Sequence, residues 1–329
     1  MKRIGNLYEQ ICSIENLNQA DFKARKGKLK SYGVKRHDRN REQNIQQLHI
    51  ALKKHTFKTS TYNIFKIYEP KERLIYQLPY YPDRIVHHAI MNILEPIWMN
   101  VFTADTYSCI KGRGIMGCAR KVKKHLKADP EGTRYSLKLD IRKFYPNVDH
   151  AIMKAILRRK IKDKELLQLI DEIIDSADGV PIGNYLSQYL ANLYLAYFDH
   201  WAKEQCGLKY YYRYADDIVV LHHDKTFLHN VYIKMKQYLH QRLKLEIKGN
   251  YQVFPVDVRG LDFVGYRFYH THTLLRKRIK QNLCRRIAKI NKKDLTPEQY
   301  RVEISAQTSW TKHCNSINLM NKITKHEEI

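Results

Sequence analysis

Few of the 329 residues are cysteine, and the six present (Cys12, Cys109, Cys118, Cys206, Cys284, Cys314) stand apart with no Cys-x-x-Cys pair. That spacing argues against a zinc knuckle and fits reduced thiols in a cytoplasm. No apolar run approaches the roughly 20 residues that span a bilayer, and Met1 to Glu9 holds no apolar signal core. There is no internal repeat, low-complexity tract or convincing linker. Histidines number sixteen but lack a ligand pattern. His87-His88, His222-His223 and His270/His272 read as packing or phosphate-facing residues. Acidic residues are scarce too: 33 Asp and Glu face 59 Lys and Arg, a net charge of +26. So basic a protein repels itself unless it meets a polyanion, and nucleic acid is the default partner, with a membrane surface as the alternative.

What is present centres on two adjacent carboxylates. Tyr210 to Tyr214 is aromatic and Ile218 to Leu221 is β-branched and aliphatic, the composition of buried strands. Ala215-Asp216-Asp217 between them is too short for anything but a tight hairpin turn, which lets both acids gather at one tip. Burying unpaired carboxylates is costly, and like charges this close raise each other's pKa. A divalent cation removes both objections, and paired aspartates on a rigid hairpin suit oxygen-ligated Mg²⁺. The bland reading is an Asx-type turn whose aspartates only satisfy backbone amides. A third acid weighs against it. Tyr135 to Asp140 alternates as a strand and delivers Asp140 at its end. Three carboxylates on one sheet edge suit two metal ions clamping a phosphoryl centre.

Asp140 with Tyr145 five residues on, then Tyr214 to Asp217, resembles the catalytic palm motifs of reverse transcriptases. Between them Gly179 to Asn192 is similar to the family's template- and nucleotide-positioning motif. Where retron and group II intron enzymes usually carry Gln-Gly and Ser-Pro, this chain has Ile182-Gly183 and Ser187-Gln188, the form typical of diversity-generating retroelements. The likeness covers roughly residues 40 to 285. It implies an α+β right-hand polymerase fold: N-terminal extension and fingers over 1–134, a palm of antiparallel sheet packed on helices over 135–268, and a short basic helical thumb over 269–329.

The resemblance also implies roles. Asp140, Asp216 and Asp217 are the catalytic acids and, with Ile141, the ligands of two Mg²⁺ ions, for which Mn²⁺ can substitute. Lys71 and Arg73 would close over the triphosphate, with Arg84 a weaker candidate. Tyr145 would stand against the sugar and exclude a ribose 2′-OH. Ile182, Gly183, Asn184 and Gln188, with Ser187, would position nucleotide and template. Lys111 and Arg113 flank glycines suited to a template phosphate. Tyr214, Gly265 of a primer-grip hairpin (Leu261 to Phe268), and Arg276, Lys277, Arg278 and Lys280 complete the nucleic-acid contacts. Lys248 is a minor candidate for protonating the leaving pyrophosphate. For Tyr145 the bland reading is a core aromatic; for the basic stretch Lys23 to Lys30 it is a solvated face.

Periodicity predicts helices over Ile4 to Ile14, Asp38 to His55, Pro82 to Trp98, Ile115 to Lys127, His150 to Ile174, Asn184 to Cys206, Thr226 to Leu243 and Leu274 to Lys293. It predicts hairpin strands from Asn63 to Pro70 and Arg73 to Leu78, and a short strand over Leu245 to Gly249. The stretch 269–329 is too short for an RNase H domain plus thumb, and no nuclease motif appears. The expected activity is copying of a structured template RNA into cDNA, error-prone at template adenines, with dNTPs, a cDNA/RNA duplex and a small basic helical accessory protein as partners and no membrane. A retron-like or phage-defence reverse transcriptase, or a non-catalytic RNA-binding scaffold, are the competing readings.

Overall fold

The computed structural model describes residues 3–68 and 72–325. Two compact units emerge, each drawn from three separate segments: 1–103, 142–201 and 237–246 in one; 104–141, 202–236 and 247–329 in the other. Among the described residues no helix is long and apolar enough to cross a membrane.

The first unit is helical around one hairpin. Two helices, Ile14–Ala24 and Ile85–Met99, bury Leu17, Ala20, Ile90, Leu94 and Trp98. Strands β1 (Asn63–Tyr68) and β2 (Glu72–Gln77) pair antiparallel, as predicted. The helix predicted from Pro82 to Trp98 is present: Tyr81, preceding a proline, is extended (φ −111°, ψ 133°), and the turn from Pro82 to Arg84 runs directly into helix Ile85–Met99. His150 to Ile174 is two helices, His150–Lys160 and Lys164–Asp175. Between them Lys162 N–H donates to Ile4 O, and Asp163 receives the amides of Leu7, Tyr8 and Leu166. A capping acid with those partners ends one helix and starts the next. Ile4 to Ile14 resolves into Tyr8–Cys12 followed by a second helix from Ile14, whereas the helix predicted over Asp38 to His55 is present as Arg41–Lys53, preceded by a short one, Tyr32–Asp38.

The second unit holds a four-stranded antiparallel sheet: β3 (Tyr135–Asp140), β4 (Tyr210–Tyr214), β5 (Asp217–His222) and β6 (Gln252–Pro255), in the order β4-β5-β3-β6. Residues 218–221 are all buried, so β5 is covered on both faces and reads as a continuous apolar run. The strand predicted at Leu245 to Gly249 is a correction: there Ile247 only bridges Ile141, and the ladder is taken up by β6 after a turn at Gly249-Asn250. A second sheet joins β7 (Leu261–Phe263), β8 (Tyr266–Phe268) and β9 (Thr273–Leu275). Its buried Phe263, Tyr266 and Phe268 share one core with Ile287, Tyr300 and Ile304 of the helices that follow. In Lys277–Ile290 the buried residues Leu283, Ile287 and Ile290 recur at helical spacing, leaving Arg278, Lys280, Arg285 and Arg286 exposed on the other side.

Candidate active site

Asp140 closes β3 and Asp217 opens β5, and the two are Cα partners in the antiparallel register. Tyr214 pairs with Asp217 to close the β4–β5 hairpin, leaving Ala215 and Asp216 as the turn, with Ala215 in the left-handed region (φ 54°). The fully buried Arg213 supports that turn: its Nη1 donates to Ala215 O at 3.1 Å. Ile141 N–H donates to Asp216 O at 3.2 Å, tying the turn to the end of β3. The tight hairpin tip read from composition is therefore present, and it faces the third acid.

Two lysines stand against these acids. Lys248 donates its backbone N–H to Asp140 O (2.9 Å) and its Nζ to Asp140 Oδ2 (2.5 Å). Lys138 Nζ lies 3.5 Å from Asp217 Oδ2 and donates to Asp262 O. The other oxygens, Asp140 Oδ1 and Asp217 Oδ1, are buried without a hydrogen-bond partner. Burial raises the Asp217 carboxyl to about 6, with Lys138 pulling it down and the charges of Asp140 and Asp216 pushing it up. Asp216 is raised for the same first reason, and next by the charge of Asp140. Mutual repulsion plus two unsatisfied oxygens is the chemistry of a cation site. Yet among the described residues no three His, Cys, Asp or Glu side chains stand gathered as a ready ligand set.

The other candidates of this unit are mostly exposed or internally engaged. Lys111 is exposed, while the Arg113 guanidinium donates to Thr106 O. Arg276 pairs with Asp262 (2.6 Å), whereas Lys277, Arg278 and Lys280 are exposed. Gly265 has φ 90°, and a Cβ there would lie 2.5 Å from the Trp310 ring. The protein's own packing thus demands glycine at this position.

In the first unit, Arg73 on β2 is exposed, and Lys71 lies outside the described residues. Tyr145 begins a short 3-10 turn, its ring edge-on to Phe144, and its carbonyl accepts from Val180 N–H. Ile182 O accepts from Tyr76 N–H (2.8 Å), so the loop before helix Tyr185–His200 lies on β2. Gly183 makes that approach feasible: φ is 123°, and a Cβ would meet Tyr76 O at 2.9 Å. Asn184 occupies the N-cap position without a capping side-chain bond, and its buried Nδ2 has no partner. Ser187 is buried and Gln188 exposed. Gly183 and Asn184 line a cleft of about 1150 Å³ with Arg36, Arg39 and Arg84. Arg36 and Arg39 were not singled out by the sequence, since a basic residue on a short helix carries no sign of what it lines. Arg84 is half-buried and its guanidinium pKa is lowered by that burial. Within the basic stretch after residue 22, Arg25 is no phosphate ligand in waiting, for it bonds the buried Asp21 carboxylate.

The family profile for reverse transcriptase (RNA-dependent DNA polymerase) matches residues 52–268. Among curated proteins, the chain is 25% identical over 281 residues to Protein YkfC of Escherichia coli, covering 70% of this chain and 72% of that one. It is 27% identical over 133 residues to the group II intron-encoded protein LtrA of Lactococcus lactis, covering 37% of this chain but only 22% of LtrA. Among solved structures, telomerase from Candida tropicalis in complex with a TWJ fragment of telomeric RNA superimposes with a TM-score of 0.52. That match has 12% identity and covers 82% of this chain and 55% of the telomerase. At such identity the likeness speaks for fold alone, the right-hand polymerase fold.

Proposed function

This chain belongs to the reverse transcriptase (RNA-dependent DNA polymerase) family, and from that premise we propose that it copies a structured template RNA into cDNA with errors concentrated at template adenines, for diversity-generating mutagenic retrohoming. The observation that carries the catalytic part is the Asp140–Asp217 pairing beside Asp216, with an orphaned buried oxygen on each partner. These three side chains, with the Ile141 backbone, would hold two Mg²⁺ ions, or Mn²⁺ in their place. Bound there, the ions would activate the attacking oxygen and steady the leaving group. The reaction joins a primer 3′-oxygen to the α-phosphorus of a dNTP, breaks the α–β phosphoanhydride bond and releases pyrophosphate.

Following the resemblance, we assign fingers to 1–134, palm to 135–268 and a basic thumb to 269–329. Arg73 with Lys71 would meet the triphosphate, and Tyr145 the sugar. Ile182, Gly183, Asn184 and Gln188 would meet the template and nucleotide. Lys111, Arg113, Tyr214, Gly265, Arg276, Lys277, Arg278 and Lys280 would meet nucleic acid, the exposed lysines and arginines by charge. A small basic accessory protein follows from the subfamily likeness alone. The six free thiols suit a cytoplasmic setting.

The diversity-generating reading rests on Ile182 and Gln188. An aliphatic side chain in place of glutamine removes a polar contact of the kind worth about 1–3 kcal/mol in discrimination. A retron-like or phage-defence role is the second reading; the likeness to LtrA and YkfC reaches the reverse transcriptase family and no mutagenic subtype. Primer extension on a defined RNA with Mg²⁺ and dNTPs, followed by product sequencing, tests both. Asp216→Ala should abolish extension; activity equal to the unaltered protein would end the catalytic assignment. Ile182→Gln should reduce misincorporation opposite adenine. An error spectrum with no adenine bias in either protein would favour the second reading.

A further inference from the structure

We propose that Lys248 is a positioning residue that occupies a metal's place: its ammonium holds Asp140 until a divalent ion displaces it, so that the lysine sets how readily the site loads. This rests on the reading of the three aspartates as metal ligands. Lys248 is fixed beside the acid by its own backbone bond to Asp140 O, and the neighbouring Ile247–Ile141 bridge secures that segment. Only its side chain is free to move. The ammonium takes Asp140 Oδ2 while Oδ1 stays buried and unpartnered, half of a carboxylate's capacity used and half waiting.

The two lysines differ in what they can do. Lys138 rises from an interior strand and is held by a carbonyl of β7, Asp262 O, as well as by Asp217. Among the described residues the Lys248 ammonium hydrogen-bonds Asp140 alone, and its side chain is 30% exposed, so it can turn out into water. A flexible four-carbon stem with a compact, well-hydrated cation is suited to such an exchange. The absence of a ready three-acid set among the described residues fits a site in which one ligand is engaged elsewhere. Removing the ammonium leaves the carboxylates without that counter-charge, which makes the metal-free protein less stable and an incoming cation better bound.

The test is Mn²⁺ binding to the full chain without nucleic acid, read by calorimetry and by the loss of free-ion electron paramagnetic resonance signal. Lys248→Met and Lys248→Gln should bind Mn²⁺ about three- to tenfold more tightly than the unaltered protein. Lys248→Arg, which keeps the cation, should restore the weaker affinity, a rescue that a merely structural role would not give. In chelator the Met and Gln variants should melt at lower temperature and gain more from added Mn²⁺. Unchanged or weaker affinity in both neutral variants, with Asp140→Asn still weakening binding, would overturn the proposal. Binding that Asp140→Asn leaves untouched would overturn the metal-ligand reading beneath it.

Discussion

Asp140 and Asp217 face each other as Cα partners across β3 and β5, one the last residue of its strand and the other the first. A slip of one residue in that register would turn one carboxylate to the opposite face of the sheet. The continuous burial of 218–221 opposes any such slip, because those side chains already fill the core.

That juxtaposition has a pH signature in the metal-free protein. Burial first, then its acidic neighbours, lifts Asp217 to about 6 against the opposing pull of Lys138. A raised carboxyl keeps its proton in the folded state after the unfolded chain has lost it. Stability is therefore full below the ordinary carboxylate value of about 4 and falls as pH rises to about 6. Asp217→Asn should remove that loss. In chelator, denaturant unfolding should find the variant about 1–2 kcal/mol more stable than the unaltered protein at pH 7.5, with the gap closing below pH of about 4. A gap independent of pH would contradict the shift.

Gly183 carries both a left-handed φ and a tight approach to Tyr76 O. Gly183→Ala should cost about 1–3 kcal/mol in thermal or chemical unfolding and weaken primer extension. Gly112 supplies the control: its φ is 80° but nothing lies within 4 Å of its Cβ position. Gly112→Ala should cost only about 1 kcal/mol. Equal losses in the two variants would show that the Tyr76 approach contributes nothing.

Tyr145 tests sugar selection. Tyr145→Ala should raise incorporation of ribonucleotides relative to deoxynucleotides by about tenfold or more, measured by competing rNTP and dNTP in single-nucleotide extension. An unchanged ratio, with folding intact, would return Tyr145 to a packing residue against Phe144.

Gly265 gives a packing prediction. Gly265→Ala should destabilise the second unit, since the new methyl would strike the Trp310 ring. Gly265→Ala combined with Trp310→Leu should be less damaging than the sum of the two changes, because contacting residues couple. Strict additivity in unfolding measurements would argue against the contact.

What was legible in the sequence was local. The tyrosine-rich strand, the tight turn and the aliphatic strand after it are coded within twelve residues and fold nearly as read, with Asp217 drawn out of the turn to open β5. Asp140 was legible because an alternating strand ended on it. The contact of Lys138 with Asp217 and of Lys248 with Asp140 was not, since each depends on which strand lies beside which; Lys248 carried only a leaving-group role in the sequence. The strand expected at Leu245 to Gly249 failed for a related reason: two main-chain bonds, Arg142 N–H to Glu246 O and Lys248 N–H to Asp140 O, make one bridge rather than a ladder. The helix break near residue 162 was hidden as well, because Asp163 serves amides at positions 7 and 8 that no local pattern announces. The need for glycine at 265 has a cause no local pattern shows, since the ring of Trp310, 45 positions later, fills the space beside it.

The strand order places β3 and β5 inside the sheet, with β4 and β6 at its edges. Main-chain amides on such interior strands open to solvent only with large-scale unfolding, so they should be among the slowest in the unit to exchange hydrogen for deuterium. Asp140 and Asp217, at the ends of those two strands, would then adjust to a ligand chiefly by χ1 and χ2 rotation, while Asp216 in the turn can also move with its backbone.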